Sequence, residues 1–122
     1  MKHRLLLLAL IAGAGSALAG SPVRTADQRQ TLADLAYALG QAHALHRVCA
    51  GPADDTWRGR MAKLLEVEAP AEVLKAQLTE SFNAGYSAED GRAKDCKAAA
   101  GLEADVARRG RDLARRLTVA AP

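Results

Sequence analysis

The chain has 122 residues, 49% of them hydrophobic but only 3% aromatic, with 17 basic side chains against 14 acidic ones and two cysteines. That length holds one core and excludes a second domain. The four aromatic residues, Tyr37, Trp57, Phe82 and Tyr86, are too few for an extended base-stacking surface, and the modest formal charge of +3 gives no broad field for nucleic acid.

At the N-terminus, Lys2, His3 and Arg4 precede the apolar run Leu5 to Ala12, which is too short to span a bilayer. Ala17 and Ala19 are the small residues that a signal peptidase accepts, so residues 1–19 are predicted to be a signal peptide cleaved after Ala19. An uncleaved anchor is the alternative, and the small-residue exit disfavours it. No cysteine follows the expected cut, so release is predicted rather than acylation. Removing residues 1–19 from 122 leaves 103, and Lys2 and Arg4 leave with them, so 15 basic residues face 14 acidic ones. A nearly neutral exported protein is not expected to bind nucleic acid.

Residues 20–26, with Pro22, read as a flexible lead-in, and 27–118 as the helical domain. Leu32, Leu35, Leu39, Ala42, His46 and Cys49 recur at steps of three and four, the period of one helical stripe. Gly51-Pro52 should end this first helix. Asp54 and Asp55 offer caps for a short second helix with Trp57, Met61, Leu64 and Leu65 on one side. Pro70 suits the first turn of a third helix, whose stripe is Val73, Leu74, Leu78 and Phe82, and Asn83-Ala84-Gly85 should weaken its far end.

Ser87 with Asp90 three residues on is a loose capping box that predicts the start of a long last helix. Cys96, Ala99, Leu102, Val106, Gly110, Leu113 and Leu117 carry its stripe, and the small Ala99, Ala100 and Gly110 would admit a close neighbour. Residues 119–122 are expected to fray. No segment alternates with period two, and Ala, Leu, Arg and Glu are strong helix formers. The fold class expected is therefore all-α, a compact three- or four-helix bundle with short, antiparallel connections.

An even cysteine count in an oxidising compartment is most simply a disulfide, here Cys49 with Cys96, which end the first helix and lie near the start of the last. Chain entropy assigns such a loop about 4 kcal/mol of stabilisation. No Cys-x-x-Cys spacing supports redox activity.

Chemistry is thinly represented. His43, His46 and Cys49 are spaced for a shared metal, but an oxidised Cys49 is no ligand and two imidazoles alone hold a metal poorly, so neither metal nor cofactor is expected. The carboxylate pairs Asp54 with Asp55, Glu66 with Glu68 and Glu89 with Asp90 would suit a glycoside hydrolase, yet most of them sit where acids offset a helix dipole. No nucleophile elbow or oxyanion loop is present.

The candidate interaction residues are Trp57 with Arg58, Tyr86, and the C-terminal basic patch Arg108, Arg109, Arg111, Arg115 and Arg116. Asp105 precedes Arg109 by four and Asp112 precedes Arg116 by four, so the patch is expected to be a solvated face laced by helix ion pairs, with an anionic partner as the alternative.

The run Gly40, His43, Leu45 and Cys49, then Trp57-Arg58 with Met61 and Leu64-Leu65, and the stretch Phe82-Asn83-Ala84-Gly85-Tyr86 followed by Cys96 and Gly110, span most of the mature chain. In these residues the chain resembles a family of small exported proteobacterial proteins with two well-separated cysteines, grouped as a domain of unknown function. Family members usually carry aromatic residues before the second cysteine, where this chain has Ser87 to Asp95. The resemblance implies a periplasmic location and the Cys49–Cys96 bridge, and it brings no activity. The function expected is a non-enzymatic accessory protein that docks on an envelope protein partner. The alternative is a small holdase chaperone whose carboxylates, protonated in acid, would release apolar surface.

Overall fold

The computed structural model describes residues 23–118. The signal peptide expected over 1–19 and the frayed tail expected over 119–122 lie outside the described residues. Four helices follow in order: α1 (Ala26–Ala50), α2 (Thr56–Glu68), α3 (Glu72–Glu89) and α4 (Cys96–Thr118). No strand occurs among the described residues. The fold is all-α, as its composition and periodicity predict, and Cys49 is bonded to Cys96 with Cα atoms 4.7 Å apart.

The first helix starts on a full capping box. The Thr25 hydroxyl accepts from the Gln28 amide at 3.1 Å, while the Gln28 side chain accepts from the Thr25 amide at 2.9 Å. Just before it, Arg24 donates to both oxygens of Glu68, at 2.6 and 3.1 Å, and to the Leu117 carbonyl at 2.9 Å. Of the lead-in expected over 20–26, the stretch from Arg24 onward is thus tied down, because an arginine fork engages the ends of two other helices. Gly51, with φ of 95°, ends α1 by donating to the Arg47 carbonyl.

The helices run up, down, up and down, and α1 stands at the centre: α2, α3 and α4 each pack on it and scarcely on one another. That placement corrects the single-stripe expectation for the first helix. Leu32, Leu35, Leu39 and Ala42 are buried as the period requires, but so are Ala36, Ala38, Gly40, Gln41, His43 and Ala44. A helix surrounded on three sides is buried nearly all round, and its small residues let the neighbours approach.

The nearest approach is between α1 and α3. A Cβ on Gly40 would lie 1.9 Å from the Phe82 carbonyl oxygen, and one on Gly85 would lie 2.0 Å from that of Tyr37. The two glycines therefore bring backbone against backbone. Asn83-Ala84-Gly85 does not weaken α3, which continues to Glu89, because tertiary packing against Tyr37 outweighs the local cost of glycine.

The helix start expected at Ser87 is overturned for the same reason, since Ser87 lies in the last turns of α3. The last helix begins at Cys96, where the Asp95 carboxylate accepts from the Ala98 amide at 2.8 Å. Along α4, Ala99 and Leu113 are buried, whereas Leu102 is 38% exposed and Glu103 takes the inward position beside it. The third helix likewise opens at Glu72 rather than at Pro70, after Ala69 closes α2 in the left-handed region.

Candidate functional site

Because α2 and α4 both rest on α1 and scarcely touch, an open groove of about 400 Å³ runs between them. Leu35 and Leu39 of α1 form its floor. One wall is the Trp57, Leu64 and Val67 side of α2, and the other is the Ala107, Gly110 and Ala114 side of α4. Gly110 widens the groove, since a Cβ there would have only Leu35 Cδ1 within reach, at 3.8 Å. Arg60, Lys63 and Arg111 stand on the rim, and none of the lining residues is acidic.

Two polar clamps hold the groove's ends. At the lower end, Arg24 joins Glu68, the last residue of α2, to the Leu117 carbonyl of α4. The Arg24 and Glu68 side chains are only 15% and 6% exposed, and the bond to Glu68 raises the guanidinium pKa further. At the upper end, Glu103 of α4 accepts from Trp57 Nε1 at 3.0 Å and meets His46 Nδ1 at 2.9 Å. His46 Nε2 lies 3.6 Å from Asp54, whose carboxylate also accepts from the Thr56 amide and hydroxyl. Those bonds, led by the Thr56 amide, hold the Asp54 carboxyl below its ordinary value.

The structure distributes the sequence-selected residues over separate places. Trp57 and Arg111 meet in the groove, and the Arg60 guanidinium lies 4.1 Å from the Trp57 ring centroid. Arg58 and Tyr86 line a second, smaller pocket with His43. The ion pairs of the last helix form at spacing three, Asp105 with Arg108 and Asp112 with Arg115, instead of the expected spacing four. For Asp105 the physical reason is Gln41: its buried amide oxygen accepts from Arg109, which itself stays exposed, and Asp105 is left to Arg108. The Gln41 amide nitrogen donates to Glu89 at 3.0 Å, so one side chain relays between α4 and α3. Arg116 is exposed.

The carboxylates considered for hydrolysis are turned to different partners, Glu68 to Arg24, Glu89 to Gln41 and Arg92, and Asp54 to Thr56 and His46. No group of three potential metal ligands occurs among the described residues. Sequence reasoning set Arg60 beside Trp57 as flanking charge and missed Lys63 and Val67. Their signal was present, because positions 57, 60, 64 and 67 share one helical face, but the face could be recognised as a wall only once α4 stood opposite.

A central helix ringed by three others and closed at one end by a disulfide defines a small all-α bundle, and no described helix is long and apolar enough to cross a membrane. The chain belongs to the family described as Protein of unknown function (DUF2385), whose sequence profile matches residues 28–120. No curated protein and no solved structure matches it.

Proposed function

We propose that this chain is an exported, periplasmic, non-enzymatic interaction protein whose α2–α4 groove docks an apolar, acid-flanked segment of an envelope protein. The observation that carries the reading is the pairing of apolar walls with a rim of three cations and no acidic lining residue. Apolar side chains of a partner would fill the 400 Å³ between the walls, and carboxylates beside them would meet Arg60, Lys63 and Arg111. Trp57 supplies a large, half-buried contact at low entropic cost, since Glu103 already fixes its indole. Export is supported by the N-terminal pattern of the sequence and by the disulfide, which persists in oxidising compartments.

The test is site-specific photo-crosslinking in intact cells. A photoreactive residue at Val67 or Ala107, on the groove walls, should give one stoichiometric adduct whose crosslinked peptide is apolar with flanking Asp or Glu. The same residue at Lys97, outside the groove, should not. Gly110→Leu, which fills the groove, should abolish the adduct. Equal adducts at Lys97 would overturn the groove as the docking face, and a broad mixture of unfolded clients that grows in acid would replace this reading with the holdase chaperone.

A further inference from the structure

Between α1, the start of α2 and α3 lies a separate pocket of about 240 Å³, lined by His43, Arg47, Arg58, Phe82, Asn83 and Tyr86. Its polar groups are left in an unusual state. His43 is 6% exposed, and its Nδ1 is buried with no hydrogen-bond partner. The Arg47 guanidinium donates to the Tyr86 hydroxyl and to the Pro52 carbonyl oxygen at 2.6 Å, two neutral acceptors, while its Nε is buried with no partner. Arg58 has one ion-pair partner, the Asp55 carboxylate 4.0 Å away, and both side chains are largely exposed.

A half-buried guanidinium without a carboxylate is costly, and so is a buried ring nitrogen without a partner. The imidazole senses the imbalance. Burial, and after it the charges of Arg47 and Arg58, hold the His43 pKa below its ordinary value, with Asp55 and Asp54 offsetting this only in part. Every lining residue of the pocket is basic, aromatic or amide in character. What the site lacks is one compact anion.

We propose that this pocket binds a small organic carboxylate, its acid group held by Arg47 and Arg58 and its body against the rings of Phe82 and Tyr86. A planar carboxylate matches the fork of the exposed Arg58 and supplies the charge that the neutral acceptors of Arg47 do not, and a negative charge beside His43 favours its protonated imidazole. The volume suits a single small ring or a short chain. The site is distinct from the α2–α4 groove and shares no lining residue with it, so it stands whether or not a protein docks there.

The experiment is an NMR titration of the folded, oxidised protein with benzoate, following the Arg47 Nε–H and His43 ring resonances, with acetate and inorganic phosphate titrated in parallel. Benzoate should produce saturable shifts at both residues and raise the His43 pKa. Acetate, lacking the ring, should bind about tenfold more weakly. Arg58→Gln, at an exposed position, should keep the thermal midpoint and weaken benzoate by about tenfold, whereas Arg116→Gln should leave benzoate binding unchanged. Absence of saturable shifts at Arg47 and His43 would overturn the proposal. So would benzoate binding unmoved by Arg58→Gln, or phosphate binding as tightly as benzoate, which would reduce the pocket to general anion attraction.

Discussion

The seam between α1 and α3 and the groove between α2 and α4 are both built with glycine, and they use it in opposite ways. At the seam, Gly40 and Gly85 remove the only atoms that would keep two backbones apart, because a Cβ on either would lie about 2 Å from a carbonyl oxygen. At the groove, Gly110 removes an atom that nothing crowds, since Leu35 Cδ1 stands 3.8 Å from where it would be. One absence makes a contact and the other keeps a space. The lesson is that the same residue type in a helix gives close packing where a second helix is pressed onto it and an open wall where the neighbouring helix is held off, here by the Arg24 and Glu103 clamps.

The sharpest way to break this comparison is at the seam. Gly85→Ala should cost about 3 kcal/mol, because the methyl group meets backbone that cannot turn aside, and urea unfolding would measure it. A cost under about 1 kcal/mol, the level of an ordinary surface change, would show that the two backbones are not in contact. Next in size is the lower clamp. Arg24→Met removes a guanidinium from a largely buried Glu68 and should cost about 2 kcal/mol. It should also raise amide exchange at the C-terminal turns of both α2 and α4, since Arg24 reaches Glu68 and the Leu117 carbonyl together.

The opposite sign is expected at the groove. Gly110→Leu should stabilise the folded chain by roughly 0.5–1 kcal/mol, because leucine is the better helix former and the space is open, while abolishing docking. Loss of stability on that substitution would mean that the groove is narrower than the distances imply.

The smallest effect is the pH dependence contributed by His43. Its folded pKa lies below the ordinary histidine value of 6.5. As pH falls through that value the unfolded chain takes up a proton that the folded chain refuses, so stability present in full above it declines towards the depressed folded pKa. The thermal midpoint should therefore fall less between about pH 7.5 and pH 5.5 in His43→Gln than in the parent chain. Equal slopes would show that the imidazole is not desolvated.

Much of this architecture was legible in the sequence because it rests on local rules. The period of Leu32, Leu35 and Leu39 announced α1, Gly51-Pro52 its end, and Trp57, Met61 and Leu64 the short α2. The misreadings arose where a distant residue overrode a local preference. Gly85 looks like a weak point for a helix and becomes the seam, and Ser87 with Asp90 looks like a cap and is instead carried within or just past α3. Arg109 has a well-placed partner in Asp105 and is captured by Gln41, 68 positions away in sequence. The basic patch therefore divides, with Arg111 on the groove and Arg109, still exposed, tied to the buried Gln41.

By itself, the sequence determined that this chain is all-α, that its cysteines pair, and where most of its helices lie, because hydrogen bonding within a helix, side-chain period and capping act over only a few residues. Only the tertiary structure decided that α1 is the central helix, that α2 and α4 stand apart over Leu35 and Leu39, and that His43, Arg47 and Arg58 share a pocket without an acid. Those outcomes depend on contacts between residues far apart in the chain, whose geometry is settled by packing volume and charge rather than by spacing.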